Sequence, residues 1–573
     1  MELVPEASMP RTMTMQRWKS GAARRASVSG AVQKSLKGIG GQVIHLGDAV
    51  WVREKGAYPF MRATLTQISG ATCKVTMENG ILVQKRCEEL YAANRPQDAP
   101  DDHSSLTHLN ESCILDSTAK RFAAGKIYTY TGRILIAVNP FRDFGLYGEE
   151  KAAEHIGTDD SASLPPHVYS VAERAYSRLR SVNVGQAIVM SGESGAGKTE
   201  TARHVVNYML MRADVDGGAG SRGISNAILE SSIITEAFGN SKTRRNNNSS
   251  RFGKYMILSF AHNGSVASAA MQTYMLERSR VTQLIEGERS YHVFYQLLAT
   301  EDDGLRSIDW LSALSVARCR VLASSDCPSI EGVSHAAGFG RLDKSLATVG
   351  LEQGRRYELY AMLAAILHLE NVAFEPKDAE ANADPSAQIS TSGGGDGGGD
   401  GGSSSSSREA LEWAGALVGC ESALEGLLTT RQLSSGRRQE AITKALSVAE
   451  ANATRDAIAR AAYSSLFTWI EAQLNRNLFG DGSSKVPGAE DDDGFLPGPQ
   501  VSLLDIFGFE RFPTNGFEQL CINYCNETLQ QQFNSFVLER EQAEYVAEQI
   551  LYDFVEFTDS TLVPFHPFCC EPS

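Results

Sequence analysis

Gly192 and Gly197 bracket four residues and are followed by Lys198 and Thr199, within the stretch "IVMSGESGAGKTE". Glycines at this spacing let several backbone N–H groups turn toward one point. The apolar run before them and the helical residues after them put that point at a helix N-terminus, where anions bind. The Lys198 ammonium would neutralise the β- and γ-phosphates of a nucleotide, and the Thr199 hydroxyl would ligate Mg²⁺. This is a phosphate-binding loop by its chemistry. Alone it does not separate kinases, GTPases, helicases and motors.

Two further stretches narrow the choice. "VSLLDIFGFE" (Val501–Glu510) is an apolar strand ending in Asp505, a carboxylate suited to a place near the metal. Gly508 lets a backbone N–H face the γ-phosphate. "NNNSSRFGK" (Asn246–Lys254) is rich in small polar side chains that can wrap a triphosphate; a polar surface turn is the plainer reading of it. No Asn/Thr-Lys-x-Asp guanine reader follows, and the kinesin switch sequences do not occur.

These segments need elements to hold them. "QAIVMSG" (Gln186–Gly192) and "GRILIAVNP" (Gly132–Pro140) read as buried strands, and Thr199–Met211 as the helix behind the loop. Asn263-Gly264 divides two strands of a hairpin, and "RRYELYAMLAAILHLENVAF" has helical period. Before them, Leu46–Ala93 alternates between apolar and polar residues and is broken at Gly70 and Asn79-Gly80, which predicts a small antiparallel β-barrel.

Residues 1–44 carry seven Lys/Arg and two Glu among Ser and Gly, and read as a disordered basic tail; a transit peptide is the other reading. Thr391–Ser407 ("TSGGGDGGGDGGSSSSS") reads as a flexible insertion spanning about 385–408, and Gly480–Pro499 as an acidic loop. With 573 residues, 42% of them apolar, the chain is long enough for several folding units. A net charge of −15 argues against a mainly nucleic-acid-binding surface, and no apolar run is long enough to span a membrane. The ten cysteines are scattered without a Cys-x-x-Cys pair, the pattern of reduced thiols.

Taken in order, the segments resemble the myosin motor domain from about residue 45 to 560. "GESGAGKTE" is similar to the family's phosphate loop, "NNNSSRFGK" to switch I and "DIFGFE" to switch II. "NPFRDFGLY" (Asn139–Tyr147) is similar to its purine-binding loop, and "FEQLCINYCNETLQQQFN" (Phe517–Asn534) to its relay helix. "LNESCIL", "ILESSIITEAFGNSKT", "LERSRV" and "GERSYHVFYQLLA" match further segments.

The resemblance implies an α/β fold: a P-loop NTPase head with a central mixed β-sheet flanked by helices, preceded by an SH3-like barrel at 45–95. The motor domain would occupy 96–573. ATP and Mg²⁺ are the implied ligands. ATP would lie against Asn139, Pro140 and Tyr147, the loop Gly192, Glu193, Ser194, Gly195, Ala196, Gly197, Lys198, Thr199 and Glu200, and switch I at Asn246, Asn248 and Ser249. Thr199 and Ser250 would hold the metal, with Asp505 behind them. Catalysis would fall to Ser249, Arg251, Gly508 and Glu510. Arg251 and Glu510 are expected to form a salt bridge closing switch I on switch II, and exchanging the two charges is expected to restore part of the lost hydrolysis.

Actin filaments are the implied partner and the cytoplasmic actin cytoskeleton the implied location. Myosins carry an acidic or phosphorylatable residue sixteen positions before an Asp-Ala-Leu-Ala-Lys-like segment. Here "DAIAR" begins at Asp456 and Glu440 lies sixteen before it; the plainer reading is one more surface glutamate. After Ser560 the resemblance stops at "TLVPFHPFCCEPS". The expectation is a head lacking part of the lower actin-binding lobe, a strand of the central sheet, the converter and the lever. Light chains would bind only a product that carries a lever. Such a chain is expected to be poorly soluble and unable to move actin, leaving a non-motile tether or an inert fragment as the alternative to a motor.

Overall fold

The computed structural model describes residues 34–55, 59–158, 164–217, 222–377, 386–390, 406–434, 441–479, 498–511, 515–535 and 539–550. The chain separates into two compact units, Met1–Lys120 and Arg121–Ser573.

In the first unit the alternating stretch becomes five antiparallel strands: β1 (Ala49–Arg53), β2 (Phe60–Ser69), β3 (Thr72–Met77), β4 (Leu82–Arg86) and β5 (Leu90–Ala92), in the order β4-β3-β2-β1-β5. In β3 every second residue is buried, so Cys73, Val75 and Met77 join Val50, Val52 and Leu65 in one core. Gly80 turns β3 into β4 at φ +80. The ordered chain starts earlier than His45. Ser35–Lys37 pairs with Val43–His45, and Leu36 and Ile44 are buried in the barrel's core. Two apolar residues in a polar stretch gave the tail reading no period to detect, yet they suffice to anchor its last residues.

The second unit is built on a mixed sheet of β6 (Gln186–Met190), β7 (Gly253–Phe260), β8 (Val266–Tyr274) and β9 (Gln500–Asp505), ordered β6-β9-β7-β8. The pairs β7–β8 and β7–β9 are antiparallel, whereas β6 and β9 run parallel with Met190 opposite Asp505. Helices α1 (Lys198–Gly217), α2 (Arg222–Gly239), α3 (His335–Thr348), α4 (Gln353–Asn371), α5 (Val448–Leu478) and α6 (Phe517–Asn534) surround it.

Helix α5 buries Ala459, Tyr463, Phe467, Ile470, Leu474 and Leu478, a stripe spaced by three and four residues. Ser447 and Glu450 cap its start reciprocally, at 3.3 and 2.9 Å, a motif in which the cap residue contributes about 1 kcal/mol. Near its end, Asn475 bonds both the N–H and the C=O of Met271 at 2.8 Å, satisfying backbone groups of β8 that β7 does not reach.

Two strand readings need correction. Ile134–Ala137 does form, but only as a hairpin with Tyr128–Thr131, and Ile134 is 37% exposed. In β6, Val189 is 55% exposed. An apolar run shows what a strand can bury, not what covers it. The margins of the expected insertion are ordered: Ala387–Ile389 pairs with Phe374–Pro376, and Ser406 caps the helix Ser407–Val418. The glycine-rich stretch between them, most of the acidic loop and Glu440 lie outside the described residues. The eight described cysteines are free thiols, and no described helix is long and apolar enough to cross a membrane.

Candidate functional site

Because β6 and β9 are parallel and in register at Met190 and Asp505, the chain leaves the sheet at the same level in both places. Two loops that are distant in sequence therefore meet beyond the carboxyl ends of the strands, the usual place for a ligand in such sheets. The first runs over Gly192–Gly197 into α1. Gly195 and Gly197 sit at φ +85 and +94, where side chains are rarely tolerated. The second is Ile506–Glu510.

Lys198 folds over its own loop, donating to the carbonyls of Gly192 and Glu193 at 2.8 and 2.9 Å. Burial pulls its amine below the ordinary value, against the opposing carboxylates of Asp505 and Glu510. Thr199 donates its hydroxyl to one oxygen of Asp505 at 2.8 Å. The other oxygen of Asp505 is buried without a partner, and burial raises that carboxyl's pKa. Thr199 and Asp505 line one cavity wall together with Ser250. Three hard oxygen donors with a spare carboxylate oxygen fit Mg²⁺.

Switch I contacts the same loop. The Ser249 and Ser194 hydroxyls are 3.5 Å apart, and Asn246 lies against Gly195. Asn139 donates to the Gly195 carbonyl at 2.8 Å, with Pro140 next in the chain. The Tyr147 ring stacks on His204 of α1 (centroids 3.4 Å, 10°), and its hydroxyl meets that of Tyr128 at 2.7 Å. Two expected ligands are held by other side chains: Asn248 accepts from Asn240 and faces His292, and Glu200 pairs with Arg203.

Arg251 is 1% exposed and bonds Glu510 through both terminal nitrogens, one at 3.0 Å. Its Nε also donates to Glu277 at 2.7 Å, and Glu277 is shared with Arg280, which in turn reaches Glu288 at 2.8 Å. The expected pair is thus the end of a buried chain of five charges. Although burial acts upward on Glu277, Arg280 and Arg251 hold its pKa down at about 2.

Sequence reasoning also missed what holds switch II. Asn523 of α6 accepts from the Glu510 N–H at 3.0 Å and donates to its carbonyl at 2.8 Å. Asn526 donates to the Phe507 carbonyl at 2.9 Å. The available signal was two asparagines three apart in a helix, a spacing that puts them on one face.

Gly508 packs on the phosphate loop so closely that a Cβ there would lie under 3.0 Å from backbone atoms of Gly192, Glu193 and Ser194. Neither backbone can yield as a side chain would. Gly508→Ala is expected to cost about 1–3 kcal/mol through overpacking and to push switch II off the loop. The denaturant-unfolding midpoint should fall accordingly, and a variant as stable as the parent would contradict this packing.

The site is also flanked by four neutral imidazoles, of which His167 is buried and His204, His292 and His335 are half-buried. Burial, with Arg203 nearby, lowers the His204 pKa to about 4; burial beside His155 lowers that of His167 to about 3. Burial near Arg289 takes His292 to about 3 and His335 to about 4. With folded values below the ordinary 6.5, the unfolded chain takes up protons first, so stability falls on acidification from 6.5 toward 4. Melting temperature should therefore drop between about pH 7 and pH 5, before most carboxylates titrate; a flat profile there would count against neutral histidines.

Residues 100–563 match the model of the myosin head (motor domain) family. The chain belongs to that family. Myosin-14 of Arabidopsis thaliana is 37% identical over 524 residues, covering 90% of this chain and 32% of that protein. Protein OPAQUE1 of Zea mays is 37% identical over 526 residues, with 90% and 32% covered. Myosin-4 of Arabidopsis thaliana is 37% identical over 516 residues, with 89% and 41% covered. The chain thus spans 32–41% of the length of these relatives. The myosin head family model covers the phosphate loop, both switches and α6.

Proposed function

We propose that this myosin head is an actin-based motor ATPase that binds Mg-ATP and hydrolyses it in a cycle coupled to actin filaments. The observation that carries the reading is the Arg251–Glu510 pair, which joins switch I to switch II beside the phosphate loop. In the proposed site Lys198 and the loop's backbone N–H groups hold the β- and γ-phosphates, with Asn139 and Tyr147 at the purine end. Thr199 and Ser250 hold Mg²⁺, with Asp505 behind them. When bound, the ion neutralises charge on the phosphate oxygens.

The protein's part is mainly positioning. Backbone N–H groups at Gly508 and in switch I orient the attacking water, and the closed ion pair excludes bulk solvent. No side chain needs to be a strong base, because phosphoryl transfer depends chiefly on alignment and charge. The grip of Asn523 and Asn526 on switch II gives α6 a direct means of following its movement.

Phosphate release from ATP, measured with and without filamentous actin, tests the reading. Actin should accelerate turnover, and ATP should weaken co-sedimentation with filaments. Turnover indifferent to actin would leave a nucleotide-binding protein of another role.

Glu440 is the proposed actin-facing residue. Negative charge there would attract a basic patch on the filament, an interaction screened by salt. Glu440→Ala is expected to lower actin activation several-fold, to order of magnitude, most clearly at low salt, with basal ATPase intact. An unchanged actin titration would make it an ordinary surface glutamate.

A further inference from the structure

The loop Asn139–Tyr147 is fastened at both ends. Asn139 donates to the Gly195 carbonyl of the phosphate loop at 2.8 Å, and at the other end the Tyr147 ring stacks on His204 of α1. With centroids 3.4 Å apart and planes 10° from parallel, the two rings lie face to face. His204 follows Thr199 by five residues, which carries it about 7.5 Å further along the helix axis. The stacked pair therefore stands beyond the phosphate end of the site.

The other contacts at this position act on the Tyr147 hydroxyl, on its ring edge or on the backbone around it. The hydroxyl meets that of Tyr128 at 2.7 Å, and Tyr169 makes an edge contact with centroids 6.1 Å apart. The Leu146 carbonyl accepts from His167 Nε2 at 3.1 Å, and the Gly148 N–H donates to the Tyr169 hydroxyl at 3.3 Å. None of these contacts comes from α1, so they hold the chain at 146–148 whatever stands at position 204. Among the described rings, only His204 lies flat on Tyr147. With its pKa lowered to about 4 by burial, the imidazole is uncharged at pH 7 and stacks as a neutral ring.

We propose that His204 is a positioning residue for the base of the nucleotide: it fixes the plane of the Tyr147 ring against which an adenine packs. It thereby raises affinity for the base and leaves the phosphates to the loop. This role rests on the reading of Tyr147 as the purine end of the site.

Calorimetric titration of the full chain with Mg-ATP and with magnesium tripolyphosphate, which has the phosphates but no base, tests it. His204→Leu keeps a good helix former in α1 and removes the flat ring. Its ATP affinity should fall about three- to tenfold, with tripolyphosphate affinity unchanged. His204→Phe returns a flat neutral ring and should bring ATP affinity to within about twofold of the parent. A residue that only stabilised α1 would move both ligands together. Equal losses for the two ligands, parent-like ATP binding by His204→Leu, or identical behaviour of the two variants would overturn the proposal. Failure of the Mg-ATP reading looks different: the parent itself would bind ATP no better than tripolyphosphate, and the role of His204 would fall with it.

Discussion

Replacing Lys198 with alanine is expected to abolish measurable nucleotide binding while leaving the fold intact. The Lys198 amine is half-buried at the loop and bonds to the backbone carbonyls of Gly192 and Glu193. Those carbonyls have solvent or neighbouring donors as substitutes, so the unliganded protein loses little. A bound triphosphate would instead lose the one side-chain cation that the loop itself provides. Removing one partner of such a buried charge contact costs about 2–5 kcal/mol, roughly thirty- to several-thousand-fold in affinity. Equilibrium titration with a fluorescent ATP analogue, alongside a melting curve, separates the two effects. Parent-like binding by Lys198→Ala would remove the loop from the site.

The second large effect is expected at Arg251, and here the structure changes the experiment. As a simple pair, Arg251 and Glu510 invite a charge exchange that should restore function. Arg251 also donates to Glu277 at 2.7 Å, however, so a carboxylate at position 251 would face a second buried carboxylate. The exchange should therefore fail, and fail in stability as well as hydrolysis. Arg251→Ala strands Glu510 and leaves Glu277 to Arg280 alone, and is expected to cost about 3–5 kcal/mol. Glu510→Ala should cost less, because Arg251 keeps Glu277. Denaturant unfolding of both single variants and the double variant measures the coupling, with single-turnover hydrolysis as the functional arm. Additive losses, or a charge-exchanged protein that hydrolyses ATP as the parent does, would dissolve the proposed chain.

The difference between these cases shows what the sequence made legible. Lys198 and Thr199 are read from local spacing, because a turn, a cation and a helix start must follow one another within a few residues. Phe517–Asn534, which resembles the relay helix, forms α6 over those residues, whereas the longest helix, α5, is not among the sequence readings. Contacts closing over large separations leave no such trace. Nothing near Arg251 announces Glu277, nothing near Asn523 announces the Glu510 backbone, and nothing in "NNNSS" shows that Asn248 turns toward α2. Leu36 and Ile44 show the same limit in the barrel, where single apolar residues were too sparse to form a period. The exposed edge at Val189 is its converse, an apolar pattern with no statement of what lies against it.

The strand order β6-β9-β7-β8 bears on how the protein is made. The last of these strands in sequence takes a central place, so on a ribosome β6, β7 and β8 emerge long before the strand that must sit between the first two. Met190 and Asp505 are register partners 315 positions apart (505 − 190), an interval of roughly 15–60 s at ordinary translation speeds of about 5–20 residues per second. Throughout that time the nascent chain holds two strand edges facing an empty slot, and switch II, which packs on the phosphate loop, has not been synthesised. The wait is a window for chaperones. Ribosome-stalled chains halted before Gln500 should be protease-sensitive around β6 and β7, with protection arriving abruptly once Asp505 clears the exit tunnel.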